Sequence, residues 1–528
     1  MTRTAQTAAA IATTVALLVL AMPPHGLAAL HWVGWVPVLA LTIRAGRRAV
    51  AASLLAPFAL YMVLGSWLTA AIADYTAFSS PVAFAMTALV MGATALPTAL
   101  ALAATSTLRD RLGTAWPIAF AALMVVAEWT GDTLALFPTS LAISQLHVQS
   151  VVQLVSVTGV SGITFLIALV NGVVVETFAS YADSRRFTWI PVFATLAALV
   201  GLGQFNAMRT ASVEAELASG RVLRVAQIQS DLEMSEKLAD PEAGEDFWYE
   251  TTAQLAGQDI DLVVWPEGAT YKSLGRPGRP LVAARRAEQL ARSVDADLVV
   301  GSSSILRDMT KDVKAPGGLR NFNSAALVRN GRLTEMHDKA RPMPFAEYLP
   351  LATYLPAPIR SFGQRYTGTF SSVDAMEPLD GELQYGVALC YELFSASHMN
   401  QLADSDLLIG MTNDSWYGDT RAPHLAAATS AMRSIELGRT LVRSGHSGLS
   451  FVVEPHGRIH SVVEPFQREA RIIDVRVAQV PTVYASWGDW FVAFCGLGLF
   501  SMVLVPAFGY GRAHVRRDPR STNAAIFA

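Results

Sequence analysis

The stretch "GVALCYELF", residues 386–394, carries one of only two cysteines in a chain of 528 residues, at the end of a short apolar run and two residues ahead of Glu392. A run of this length and composition reads as a buried β-strand. Free cysteine is among the most buried residue types, so a small core hydrophobe is the plain reading of Cys390. The other reading is a thiol set at a strand end for nucleophilic chemistry. What the neighbouring strands end on decides between them.

Outward from this run, the block from about 208 to 485 reads as α/β. "VLRVAQI", "IDLVVWPE", "ADLVVGSSSI", "NSAALVRNG", "YGVALC", "SDLLIGMTN" and "GLSFVVEPHGRI" are short apolar or β-branched runs bounded by Gly, Asp, Asn or Pro, as strands are. "RPLVAARRAEQLARSV" and "APHLAAATSAMRSIELGRTLV" have helical patterning between them. A block of this size can bury a substantial core.

The first 207 residues are of another kind. The whole chain is 52% hydrophobic and only 16% charged, a balance that points to the membrane class. Before residue 208, the basic residues are Arg3, Arg44, Arg47, Arg48, Arg109, Arg111, Arg185 and Arg186 alone. Apolar segments near the roughly 20 residues needed to cross a bilayer recur at about 7–23, 28–43, 50–73, 81–105, 115–130, 158–179 and 188–207. One more follows at 486–508. The expectation is a polytopic base of eight transmembrane helices, the first kept as an anchor because no clean cleavage site follows it. The arginine groups and the tail "GRAHVRRDPR" fall at alternate ends of the spans, so they share the cytoplasmic side, and the hydrophilic block lies on the extracytoplasmic side. The division expected is 1–207 for seven spans, 208–485 for the α/β domain, and 486–528 for the last span and a basic tail.

Cys495 lies in the apolar run "WFVAFCGLGLF", so a bridge to Cys390 is not expected, and Cys390 should be a free thiol. Two other strand ends or following loops carry unusual groups. Glu267 follows "DLVVWP", and Lys339 sits in "HDKARPMPFAEYLP". A carboxylate, an ammonium and a thiol supply the base, the positive charge and the nucleophile of acyl chemistry. Singly, Glu267 also reads as a helix cap or a solvated strand end. Lys339 is one of five lysines beside thirty-five arginines, and its compact ammonium can approach a tetrahedral centre more closely than a forked guanidinium. The ten histidines show no metal-ligand spacing and there is no phosphate-binding glycine motif, so neither metal nor cofactor is expected, nor is a nucleic-acid partner.

"VVWPEGA" around Glu267, the Lys339 to Glu347 spacing of "KARPMPFAE", "ALCYE" around Cys390 and "TNDSWYG" at 412–418 together resemble the nitrilase superfamily. With "LAMPPHGLAALHWVGWVPVLAL" and "SVTGVSGITFLIALVNGVV", the whole chain resembles its membrane-bound branch, the apolipoprotein N-acyltransferases. The resemblance implies a four-layer α-β-β-α sandwich on a membrane base. It further implies a triad of Glu267 as base, Lys339 as oxyanion stabiliser and Cys390 as nucleophile, with the backbone N–H of Tyr391 assisting Lys339. Glu347 and Glu392 correspond to supporting carboxylates, and Asn413 and Trp416 to positions lining the pocket. For Trp416 by itself, core packing is the reading its residue type favours. The implied reaction moves a fatty-acyl chain from a phospholipid, through a cysteine thioester, to the α-amino group of a diacylglyceryl-cysteine on an apolipoprotein, at the outer face of a bacterial cytoplasmic membrane. A membrane-tethered amidase using the same three residues is the alternative, as is a non-catalytic scaffold that kept the fold. Three departures stand out: Ala346 in place of glycine, "ARPM" at 340–343, and "FPTS" at 137–140. The apolar, Pro-rich stretch from Arg341 to Phe362 reads either as a lateral portal for acyl chains or as an ordinary loop over the core.

Overall fold

The computed structural model describes residues 2–44, 46–76, 78–134, 140–184, 189–231, 240–307, 318–363 and 368–509. Most of the "FPTS" departure, 137–139, lies outside them, as does the basic tail.

Among the described residues, five stretches are long and apolar enough to cross a bilayer: Arg3–Ala21, Arg47–Leu64, Ser80–Gly131, Val160–Asp183 and Trp189–Ser219. Ala28–Thr42 and Trp490–Met502 are apolar but shorter. Length and composition among the described residues therefore do not confirm the expected count of eight. Ser80–Gly131 covers two of the expected spans, the helix Ser80–Ala103 and most of the helix Trp116–Leu134, with Gly113 at positive φ (56°) between them. The span expected at 50–73 is instead two helices, Arg47–Leu64 and Trp67–Tyr75. The break falls where Gly65 meets Met91, whose Sδ would lie 2.2 Å from a β-carbon at position 65. The loop after residue 139 is held inside the helical base by Glu128, which accepts from the Leu141 N–H (2.7 Å), Ser140 Oγ (3.0 Å) and Thr164 Oγ1 (2.6 Å). A buried carboxylate with three donors is a satisfied one.

Among the described residues, the α/β domain has a short two-stranded ribbon, Gly275–Arg276 with Arg279–Pro280, and two six-stranded sheets. One has the order Glu469–Val477, Arg221–Gln229, Leu262–Val264, Asp297–Arg307, Leu319–Arg329, Arg332–Asp338. The other runs Ile459–Val463, Ser450–Val453, Leu441–Gly445, Leu407–Thr412, Gln384–Leu389, Leu379–Asp380. Their inner faces meet in one core that includes Val225, Val264 and Leu327 from the first sheet and Val387, Leu389 and Ile409 from the second. Helices Pro241–Ala253 and Val282–Val294 cover the outside of the first sheet. Ala422–Leu437 covers the second and packs in the same core as the apolar base. The expected four layers are present, and the fourth is also the joint with the membrane helices.

Helix Ala422–Leu437 corrects one expectation, since "GRTLV" does not continue it. Gly438 ends the helix in the left-handed region (φ 65°), so close to the Val480 carbonyl that a β-carbon would sit 1.9 Å from it. Residues 441–445 then form a strand. A glycine in the left-handed conformation just past a helix is a stop signal, and here it returns the chain to the sheet beside Leu407–Thr412.

Candidate active site

The strands Leu262–Val264, Gln384–Leu389 and Leu407–Thr412 run parallel to neighbours in their sheets. Their carboxyl ends deliver Glu267, Cys390 and Asn413, and Lys339 follows the edge strand Arg332–Asp338. Polar groups gather at such ends because the chain leaves the apolar sheet there.

Lys339 is 2% exposed, and its Nζ lies 2.8 Å from Glu267 Oε1 and 2.8 Å from Glu347 Oε2. Asn323 closes the same bridge from the other side, Nδ2 donating to Glu267 Oε1 and Glu347 Oε1 at 2.7 Å each. The second oxygen of Glu267 accepts from the Asn413 N–H at 3.1 Å, and that of Glu347 from the Met343 N–H at 2.6 Å. His446 Nε2 lies 2.7 Å from the Glu267 carbonyl oxygen, which fixes the backbone under the carboxylate. Glu392 is wholly buried and ties two strand ends together. It accepts from Leu389 N (2.7 Å) at the cysteine turn and from Ala340 N (2.6 Å) beside Lys339.

Cys390 opens a 3-10 turn with φ 47°, a left-handed conformation uncommon for a residue with a side chain. It is a free thiol and only partly buried. Glu267 and Lys339 are closed from solvent, so of the three the cysteine is the most exposed.

The charges are coupled. Burial pushes the Glu267 carboxyl up; Lys339 pulls it down and Glu347 pushes it up again, and it stays above the ordinary carboxylate value. Burial works against the Lys339 ammonium, but Glu267 and Glu347 outweigh it and hold the lysine well above its usual value. Burial and the Glu267 charge raise the Cys390 thiol well above its ordinary range, against the pull of Lys339. The resting thiol is therefore protonated, and a base has to take its proton before the sulfur can attack. For Glu392 burial is again the largest effect, yet His337 and the Leu389 N–H overcome it and keep the carboxyl low.

Hydrogen bonds and ion pairs thus join Glu267, Lys339, Glu347 and the Asn413 backbone, Glu392 ties the cysteine turn to the lysine segment, and the Cys390 thiol is within electrostatic reach of Glu267 and Lys339. The Tyr391 N–H follows Cys390 directly in the chain. Trp416 is 40% exposed and so is not the core residue its type alone suggests; its ring lies 4.4 Å from that of Tyr75 on the helical base. Tyr417 beside it packs edge-on against Trp67 at 4.8 Å. The loop that hydrogen-bonds Glu267 through Asn413 is therefore the loop that rests on the membrane helices. The exposed Phe345, Leu351 and Tyr354 in the Pro-rich stretch stand clear of any core.

Sequence reading missed Asn323, His446 and the buried pair Asp414–Arg443 (2.8 Å). It also missed Gly301, where a β-carbon would lie 2.0 Å from the Pro266 carbonyl and 2.8 Å from the Glu267 Cα. Backbone cannot move aside as a flexible side chain can, so Gly301→Ala should displace Glu267 and destabilise the domain by about 1–3 kcal/mol, the usual cost of overpacking. Thermal unfolding of the purified variant measures this; an unchanged midpoint would show that the turn yields freely.

Residues 15–173 match the apolipoprotein N-acyltransferase N-terminal domain, and residues 223–484 match the carbon-nitrogen hydrolase domain. An apolipoprotein N-acyltransferase of Geobacter metallireducens is 28% identical over 513 residues, 95% of both chains. One from Methylococcus capsulatus is 28% identical over 71% of this chain and 70% of its own. A solved structure, a mutant of the Nesterenkonia AN1 amidase from the nitrilase superfamily, is 17% identical with a TM-score of 0.35, covering 48% of this chain and 90% of its own. A carbon-nitrogen hydrolase domain seated on a base of apolar helices defines a membrane-bound acyl-transfer enzyme of the nitrilase type. Within that class, the chain belongs to the apolipoprotein N-acyltransferase family.

Proposed function

We propose that the protein moves a fatty-acyl chain from a phospholipid to the α-amino group of the N-terminal diacylglyceryl-cysteine of apolipoproteins, the last step of lipoprotein maturation, through a thioester on Cys390. The chain divides into a membrane region at 1–207, a catalytic domain at 208–485, and a last span with a basic tail at 486–528; helix Trp189–Ser219 runs unbroken across the first boundary. The catalytic domain faces the extracytoplasmic side of the bacterial cytoplasmic membrane.

Glu267 takes the thiol proton, and the sulfur attacks the ester carbonyl. The Lys339 ammonium and the Tyr391 N–H stabilise the resulting oxyanion. Collapse breaks the ester C–O bond, the lysophospholipid oxygen leaves with the proton held by Glu267, and the acyl group stays on Cys390. The acceptor amine then attacks the thioester and gives a proton to Glu267. The C–S bond breaks, and the thiolate recovers that proton. This is a two-stage exchange through one covalent intermediate. Glu347 and Asn323 hold Glu267 and Lys339 in register. The observation that carries this reading is the double bridge of Lys339 to Glu267 and Glu347, joined through Asn413 to the loop resting on the membrane helices.

Both substrates are anchored in lipid, and drawing an acyl chain into water costs about 0.8 kcal/mol per CH2. A site beside the bilayer removes that cost, and this favours transfer between lipids over hydrolysis of a soluble amide. Phospholipid labelled in its acyl chain, incubated with the protein and a diacylated lipopeptide, tests the reading. Label on the peptide amine is expected; label released only as free fatty acid would mean a hydrolase.

The raised Glu267 carboxyl sets the pH response. Acylation requires the ionised base, so thioester formation should decline on acidification with a midpoint above the ordinary 4.5. Glu267→Gln keeps the shape but loses basicity, and should slow acylation on the order of 10²-fold and abolish that acidic limb. Intact-mass time courses across pH measure both, and an unaltered limb in the variant would assign the titration to another group.

A further inference from the structure

Beside the cysteine turn lies a second polar group that the chemistry above does not use. Arg341 leaves the chain two residues after Lys339, and its backbone N–H donates to Glu392 Oε1 at 3.3 Å. Its guanidinium carbon lies over the Tyr391 ring, 5.1 Å from the centroid, so the cation stands directly beside the residue that follows Cys390. Across the turn, His398 Nδ1 pairs with Ser395 Oγ at 2.9 Å, and Ser397 Oγ is 3.3 Å from the same hydroxyl. Arg341 and His398 are within electrostatic reach of each other: after burial, the arginine charge is what lowers the imidazole's pKa most. A guanidinium, an imidazole and two hydroxyls are the donors that recognise a phosphate monoanion or diester.

The same segment also approaches the last apolar helix. Asn400, two residues past His398, approaches Gly488, with Nδ2 3.8 Å from the position of a β-carbon there. Gly488 lies two residues before the last apolar helix, Trp490–Gly509, and Trp487 beside it is 72% exposed, as aromatic residues at a membrane surface are. Arg341 thus stands over the residue that follows Cys390, and the Ser395–His398 turn lies a few residues further along the same segment.

We propose that Arg341, with Ser395, Ser397 and His398, binds the phosphate of the acyl-donor lipid and so places its ester carbonyl at Cys390. This rests on the acyl-transfer reading above, and deepens it by assigning the donor's headgroup site. Arg341 positions substrate; it takes no part in bond making.

The test compares thioester formation on the full-length protein, followed by intact mass, from a phospholipid and from a phosphate-free ester, p-nitrophenyl palmitate, both in the same detergent. For Arg341→Gln, the ratio of the phospholipid rate to the neutral-ester rate should fall about tenfold relative to the unaltered protein, the effect of one charge-assisted hydrogen bond. Arg341→Lys, which keeps the charge and loses the fork, should recover part of that ratio. A ratio that stays the same in Arg341→Gln, whether both rates hold or both drop together, overturns the assignment. Inorganic phosphate should compete with the phospholipid alone; slowing of both donors alike would mean a free-anion effect on the whole site, and would equally overturn it. Absence of a thioester on the unaltered protein from either ester would overturn the acyl-transfer reading itself, an outcome distinct from an unchanged ratio.

Discussion

Cys390→Ser should leave no acyl adduct on the protein after exposure to phospholipid, and should lower transfer to a diacylated lipopeptide by roughly 10⁵-fold or more, the scale of losing a triad nucleophile. The exchange of sulfur for oxygen is nearly isosteric and does not alter the backbone, so the left-handed turn at residue 390 can persist and the fold should be retained. What changes is the proton. Burial and the Glu267 carboxylate already hold the thiol well above its ordinary value. A serine hydroxyl starts several units higher still, much harder for a carboxylate base to ionise than a thiol. The measurement is intact mass after lipid exposure, with the thermal midpoint as a control for folding. A serine variant that keeps a tenth of the activity would place the covalent step on another residue, or remove it altogether.

The three strand-end residues were legible in sequence because each sits in a local motif of a few residues whose spacing the chain preserves. What holds them was not. Asn323 touches Glu267 across 56 positions, and His446 reaches the same residue across 179. Neither stands in a pattern that marks it, since an asparagine in a strand and a histidine in a loop have many other uses. Gly301 is legible only as a strand residue, and its function is to have no side chain where the Glu267 turn passes. The sheet order was not accessible either, and "GRTLV" reads as the tail of a helix until Gly438 is seen in its left-handed conformation. In the membrane part, apolar length found where helices lie. It could not show that Gly65 breaks one of them against Met91, because that depends on how closely a neighbouring helix approaches. Trp416 illustrates the same limit. A tryptophan by its residue type reads as core, yet this one is 40% exposed, its ring edge-on to a tyrosine of the helical base.

Lys339 is the residue whose loss should damage both fold and rate. Its ammonium is closed from solvent and is the cation shared by Glu267 and Glu347, each 2.8 Å away. Lys339→Met leaves two carboxylates facing each other across a buried gap, and breaking a buried ion pair from one side costs about 3–5 kcal/mol. Neither carboxylate can simply remain ionised beside the other, so one is driven to hold a proton. If that is Glu267, the base is lost along with the oxyanion's cation. Acylation should therefore fall by about 10³-fold or more. The stability deficit has a definite sign with pH. A carboxyl whose folded pKa is raised destabilises the fold once it ionises, so the deficit should grow as pH rises above the ordinary 4.5 and shrink on acidification toward it. Lys339→Arg separates charge from shape. The guanidinium keeps the positive charge but needs a wider, planar seat than the one between Glu267, Glu347 and Asn323, so most of the stability should return while the rate does not. Thermal unfolding across pH, read beside intact-mass acylation kinetics for both variants, measures each part. Near-normal acylation by the arginine protein would show that a positive charge in the pocket suffices, and that the compact geometry of the ammonium contributes nothing to the step.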